Sequence, residues 1–172
     1  MNTDSETWTI STDSPEATQE LGRRLGELLQ PGDVVALVGP LGAGKTVLVK
    51  GVAQGLGTDD PARRVHSPTF VLVSEYPGRL WLYHVDAYRL AGPEDLEAIG
   101  IGELLAGEGV TVVEWADRVS ATLPPGALWV HLEHVDATTR RLTFRATADP
   151  GLRRLQALRS GADPGCPHPP TA

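Results

Sequence analysis

Asp33-Val34-Val35-Ala36-Leu37-Val38 runs directly into Gly39-Pro40-Leu41-Gly42-Ala43-Gly44-Lys45-Thr46, and this junction decides how the chain is read. An apolar run of strand length followed by Gly-x4-Gly-Lys-Thr is the P-loop pattern in its required strand-then-helix setting. Glycines at 39, 42 and 44 let the backbone bend tightly and aim successive amides at phosphate, at the positive end of the following helix. Lys45 supplies a mobile cation and Thr46 a hydroxyl for magnesium. A glycine-rich turn that merely capped a helix would leave the Lys-Thr pair unexplained.

Outward from the junction, Leu48, Val49 and Val52 continue with helical spacing as far as the glycines at 55 and 57. Upstream, Trp8 to Ile10 reads as a short strand. Ser14-Pro15 then reads as a cap and a permitted first-turn proline before a helix with Leu21, Leu25, Leu28 and Leu29 on one face, ended by Pro31-Gly32. Downstream, residues 58–66 read as a loop. Phe70 to Tyr76 and Leu80 to Val85 read as a hairpin around a type II turn at Pro77-Gly78. A helix is expected from Gly92-Pro93-Glu94-Asp95 through Leu96, Ile99 and Leu104, then a short strand from Val110 to Trp115. Leu128 to Val135 and Leu142 to Ala146 should pair antiparallel around 136–140, and Leu152, Leu155 and Leu158 suggest a last short helix. A parallel nucleotide-binding centre with antiparallel additions is a three-layer α/β domain of the P-loop nucleoside triphosphate hydrolase type, with a mixed parallel/antiparallel sheet. Residues 1–148 are expected to form that single domain, and residues 149–172 a short helix and a disordered Pro/Gly-rich tail.

Size and charge narrow the function. The 172 residues suffice for one well-buried core, and the net charge is -7. The stretch Arg79 to Arg118 holds eight acidic and three basic residues, a potential that repels phosphodiester backbones. Strong direct nucleic-acid binding is therefore not expected. No stretch approaches membrane-spanning length and MNTDSETWTI lacks the features of a signal peptide, so the expected compartment is the cytoplasm. Cys166, the single cysteine, lies with His168 in the tail. Two ligands there fall short of a metal site.

Hydrolysis needs more than a phosphate cradle: a carboxylate at the end of a neighbouring strand must hold magnesium or orient water. Asp86 ends WLYHVD and Glu114 ends TVVE, both leaving apolar segments where a carboxylate is costly to dehydrate. Asp86, with the shorter side chain, reads as the magnesium ligand beside Thr46. Glu114 reaches further and can orient water or hold the same ion, and the sequence leaves the two roles exchangeable. Ser67-Pro68-Thr69 is either a polar turn or a hydroxyl that senses the terminal phosphate. His66 and His84 read as surface or satisfied-core histidines, with proton exchange as the alternative, and Tyr88 and Arg89 as braces for Asp86 or a phosphate or as ordinary structural residues. Trp115 reads equally as core or as site wall.

The ordered series GPLGAGKT, SPTF with VLVSEY, LYHVDAYRL, EDLEAIGIGELL and VVEWADRV resembles the bacterial TsaE/YjeE family over roughly residues 8–147. The resemblance implies the ATPase component of the tRNA threonylcarbamoyladenosine-modification machinery, binding ATP and Mg2+, weak alone and dependent on partners. Those partners would be the TsaD and TsaB proteins, with tRNA contacted only indirectly and no membrane involved. It implies that Lys45 contacts phosphate, that Thr46 and Asp86 organise magnesium, and that Glu114 serves the metal or hydrolytic centre. Thr69 falls in the family's nucleotide-responsive SPTF segment and Trp115 in its EW motif. Ala87, where the family commonly has Leu, and the ending of EWADRV depart from the pattern without removing a proposed catalytic atom. Two other readings of the same residues are a small-metabolite kinase, which would phosphorylate an acceptor, and a module whose bound ATP orders an interface without turnover.

Overall fold

The computed structural model describes residues 4–67 and 72–161. Its strands are β1 (Glu6–Thr12), β2 (Val34–Val38), β3 (Val73–Tyr76), β4 (Leu82–Asp86), β5 (Val110–Glu114), β6 (Leu128–His134) and β7 (Arg140–Ala146). Its α-helices are α1 (Pro15–Leu28), α2 (Lys45–Gly55), α3 (Pro61–Arg64), α4 (Pro93–Ala98), α5 (Ile101–Ala106) and α6 (Gly151–Ser160), with a 3-10 segment at Ala116–Thr122. Among the described residues the strands form one sheet in the order β1-β7-β6-β2-β5-β4-β3. The pairs β6-β2, β2-β5 and β5-β4 are parallel, while β3 at one edge and β7 and β1 at the other are antiparallel. This is the expected α/β arrangement with a mixed sheet.

Strand alternation divides β2 between two cores. Val35 and Leu37 pack with Leu25, Leu48, Val52 and, from α6, Leu155 and Leu158. Val34 and Ala36 pack on the other face with Leu96 of α4, Ile101 of α5 and Val119 of the 3-10 segment. Helices therefore cover both faces, and β2, the parallel centre, is buried through its first four residues. That explains its unbroken apolar run.

α1 starts where Ser14 accepts a hydrogen bond from the Ala17 amide at 3.0 Å, with Pro15 in the first turn. It meets α2 through four glycines. A Cβ at Gly22 or Gly26 would lie 2.3 Å from the carbonyl oxygen of Leu48 or Val52, and one at Gly51 or Gly55 would lie 2.0 or 2.1 Å from that of Gln19 or Arg23. Backbone thus meets backbone, which brings the start of α1 beside the loop that launches α2.

Several local expectations need correction. The loop at 58–66 contains the single turn α3. The β3-β4 connection spans 77–81, with Tyr76 opposite Leu82. Gly78 does not take the positive φ of a type II turn. It is instead small because a Cβ there would lie 2.4 Å from Leu56 O, and the neighbouring Arg79 amide donates to that same oxygen. The helix expected across 92–104 breaks into α4 and α5 at Gly100, whose φ is +83°. β6 ends at His134 rather than Val135, and β7 begins at Arg140 rather than Leu142. Phe70, the expected start of the first hairpin strand, and the tail 162–172, with Cys166 and His168, lie outside the described residues. No helix among the described residues is long and apolar enough to cross a membrane.

Candidate functional site

The glycine-rich loop leaves the C-terminal end of β2, and Gly44 caps α2 with φ +99° and no side-chain cap bond. Gly42 also has positive φ, +80°. Side chains are disfavoured in both conformations. At Gly39 a Cβ would lie 2.6 Å from Leu132 O of β6, so this glycine lets the loop lie against the sheet. The first-turn amides of α2 therefore remain available to an anion. Leu41, at the loop tip, is 89 % exposed and stands in the wall of the cavity described below.

Lys45 is 5 % exposed and lies along this loop. Its Nζ donates to Gly39 O at 2.5 Å and Pro40 O at 2.9 Å, and sits 4.1 Å from the centroid of the Trp115 ring. Burial pushes the Lys45 ammonium below its ordinary value of 10.5, against the opposing pull of Glu114, Asp86 and Asp117. Asp86 and Glu114 come from strand ends and Asp117 from the 3-10 segment. Asp86 and Glu114 are register partners across β4 and β5, and each is 2 % exposed.

Glu114 is held at both oxygens. Thr46 Oγ1 donates to Oε1 at 3.1 Å, and His84 Nε2 lies 2.9 Å from Oε2. Asp86 accepts from Ser67 Oγ at 2.6 Å on Oδ2 and from the Tyr88 amide at 2.9 Å on Oδ1. Trp115 follows Glu114 with φ 59°, a left-handed turn that sends its ring across Lys45 and against Tyr88, 4.9 Å between ring centroids.

A cavity of about 360 Å3 opens in front of Lys45, Ser67, Glu114 and Trp115, while Asp86 stands behind Ser67 and is not in its wall. Thr46, Glu114 and Trp115 line one side, and Pro15, Thr18 and Arg140 are also in its wall. Arg140 donates from Nη2 to Gly42 O at 3.3 Å and from Nη1 to Asp136 O and Thr139 O, which ties the β6-β7 turn to the glycine-rich loop. A volume of this size, with Lys45, Thr46 and Glu114 among otherwise largely apolar walls, is that of a small-molecule site.

This arrangement has counterparts. Residues 12–142 match the protein family described as Threonylcarbamoyl adenosine biosynthesis protein TsaE. The chain belongs to the TsaE family. Among its TsaE relatives, the tRNA threonylcarbamoyladenosine biosynthesis protein TsaE of Treponema pallidum is 45 % identical over 130 residues, covering 76 % of this chain and 94 % of that protein. The Bacillus subtilis protein of the same name is 40 % identical over 139 residues, covering 80 % and 85 %. The crystal structure of Bacillus subtilis YdiB superposes with a TM-score of 0.76 at 31 % identity, covering 92 % of this chain and 98 % of that one. TsaE membership ties the chain to tRNA threonylcarbamoyladenosine modification.

Of the residues expected at the TsaE site, the loop 39–46, Asp86, Glu114 and Trp115 lie at the C-terminal ends of β2, β4 and β5. Thr69 lies outside the described residues. Pro15, Thr18, Thr138 and Arg140 also line the cavity, and no motif in the sequence marks them as site residues. Pro15 was legible only as a helix start and Arg140 only as part of a turn. His84, read as an ordinary core or surface histidine, contacts Glu114 directly. Among the described residues no three His, Cys, Asp or Glu side chains converge on one point, as an all-protein metal cage requires. Magnesium asks for less: hard oxygens from one or two side chains, completed by water and substrate phosphate. Thr46 Oγ1 and the buried Glu114 carboxylate, already in contact at the cavity wall, fit that requirement.

Proposed function

We propose that the chain is a magnesium-dependent ATPase of the tRNA threonylcarbamoyladenosine-modification machinery, hydrolysing ATP to support assembly or turnover of the TsaD-TsaB proteins. The observation that carries this reading is the Thr46-Glu114 hydrogen bond, which joins the end of the glycine-rich loop to a buried carboxylate on the adjacent parallel strand. A helix-capping loop has no need of such a partner.

Loop amides and Lys45 bind the triphosphate, with Nζ exchanging the Gly39 and Pro40 carbonyls for phosphate oxygens. Burial makes the Lys45 charge costly without an anion, and phosphate compensates it. Thr46 and Glu114 hold magnesium, which neutralises developing phosphate charge when bound. Contact with Thr46 favours Glu114 as the metal-side carboxylate, reversing the division suggested by side-chain length. Asp86, one strand further and bonded to Ser67, then orients the attacking water. Thr18, Thr138 and Arg140 face the remainder of the nucleotide, and Trp115 shields Lys45 from solvent.

Family membership and the acidic 79–118 stretch together support contact with tRNA through TsaD and TsaB rather than directly. The cytoplasm is the matching compartment. Equilibrium titration with ATP and magnesium tests the site: Lys45→Ala should weaken binding by about tenfold or more, the worth of a hydrogen bond to a charged group. Unchanged affinity in a folded Lys45→Ala protein overturns the reading.

A further inference from the structure

His84 lies in the middle of β4 and is fully buried. Strand alternation puts it on the same sheet face as Leu82 and Asp86, and in β5 the same face carries Val110, Val112 and Glu114. Along that face the side chains change from apolar at the strand starts to His84, Asp86 and Glu114 at the ends that meet Thr46.

The hydrogen-bond inventory determines how the ring is oriented. Glu114 Oε1 already takes the Thr46 hydroxyl, and Oε2 faces His84 Nε2 at 2.9 Å. A carboxylate only accepts, so the ring hydrogen is on Nε2. Nδ1 is buried with no hydrogen-bond partner. An unmatched buried nitrogen opposes stability, and an apolar residue would avoid it. What His84 supplies in return is one donor aimed at one carboxylate oxygen.

Resting on the proposed function, we infer that His84 is a positioning residue: by holding Oε2 of Glu114 it turns Oε1 towards Thr46 and the cavity, and so sets how well the nucleotide site takes up magnesium. Partners that orient a metal-side carboxylate commonly change metal affinity by about tenfold or more when removed. The phosphate cradle itself, built from loop amides and Lys45, does not depend on His84.

Two polar substitutions separate positioning from packing. In His84→Gln the amide nitrogen stands as many bonds from Cβ as Nε2 does and can still reach Glu114. In His84→Asn the amide stops one bond short. Binding of a fluorescent, non-hydrolysable ATP analogue is measured in EDTA and across a magnesium titration, with unfolding midpoints recorded for each protein. The expected result is an EDTA affinity within about twofold of wild type for both variants, a magnesium midpoint raised about tenfold in His84→Asn, and one within about threefold of wild type in His84→Gln. Should His84→Asn not fold, His84→Phe, a ring without the donor, takes its place with the same expectation. Wild-type magnesium dependence in the variant lacking the donor, or equal impairment of both variants, overturns the role of His84 alone. A wild-type protein that binds no nucleotide, or binds it no better with magnesium, overturns the proposed function and the His84 role with it.

Discussion

Asp86 and Glu114 are register partners across the parallel β4-β5 pair, buried to the same degree, yet their hydrogen-bond partners differ in kind. Glu114 is bonded by Thr46 from the glycine-rich loop and by His84 from within the sheet. Asp86 is bonded by Ser67 and by the Tyr88 amide at the start of the following turn. Two carboxylates of equal burial thus belong to different parts of the site, one to the loop and one to the segment leading to β3.

That difference predicts distinct failures. Glu114→Gln removes the carboxylate charge, and its amide either faces the His84 N–H donor to donor or takes the Thr46 hydroxyl as an acceptor, turning that hydroxyl's hydrogen away. Magnesium-dependent nucleotide binding should fall. Asp86→Asn should leave binding nearly intact and lower phosphate release by about a hundredfold, the lower range for a group acting on the attacking water. Nucleotide titration beside single-turnover phosphate release on both variants checks the split. Equal binding loss in the two would merge the roles.

Two glycines, one in the α1-α2 contact and one outside it, should respond to alanine with opposite sign. Gly51→Ala would push a methyl group to 2.0 Å from Gln19 O, forcing the helices apart at a cost of about 1–3 kcal/mol or more. Gly102→Ala, in α5 with nothing within 4 Å and no positive φ, should stabilise by about 0.5–1 kcal/mol through helix propensity. Thermal unfolding of both proteins decides this, and a tolerated Gly51→Ala would contradict the backbone-to-backbone contact.

Asp136 organises the β6-β7 turn that carries Thr138 and Arg140 to the cavity. Its Oδ1 accepts from the Thr138 and Thr139 amides at 3.0 and 2.8 Å, and those bonds hold its carboxyl below the ordinary 3.8. Because the folded-state value is the lower one, the turn's contribution is present above the unfolded value and is lost as pH falls through the folded one, below 3.8. Asp136→Ala removes it at every pH. Nucleotide affinity at neutral pH should weaken severalfold, about the worth of one or two hydrogen bonds, with the acid limb of the unfolding profile flattened. Titration and an acid unfolding series read both.

Trp115 offers a direct optical report. Its ring faces Lys45 Nζ at 4.1 Å, so movement of Nζ towards phosphate must change the indole environment. Nucleotide should alter tryptophan emission in the wild type. Trp115→Phe should abolish most of that change while leaving affinity within about fivefold, since a phenyl ring keeps part of the cation–π attraction. Persistence of the full signal in Trp115→Phe would assign it to Trp8, Trp81 or Trp129.

What could be read from the chain follows how far each feature reaches in sequence. The loop 39–46 is legible because strand, glycines, Lys45 and Thr46 are contiguous, and the α1 start because Ser14 and Pro15 adjoin it. The pairing of Asp86 with Glu114 depends on β4 lying beside β5 in one register, which no local pattern encodes. His84 shows the same limit: a histidine in an apolar run has no local sign of a partner thirty positions away. Gly22, Gly26, Gly51 and Gly55 look like weak points in two helices until the helices are placed together. Gly78 looked like a turn glycine, and its real constraint comes from Leu56. Arg140 reaches the cavity only because the β6-β7 turn folds back over Gly42.

Release of inorganic phosphate from ATP on adding the TsaD and TsaB proteins, measured for wild type and Lys45→Ala in magnesium, tests the proposed function most directly. A slow wild-type rate that rises with the partners and vanishes in Lys45→Ala is the predicted result. A rate unmoved by the partners, or one equally strong in Lys45→Ala, or phosphate appearing on a small metabolite instead of in solution, would contradict it.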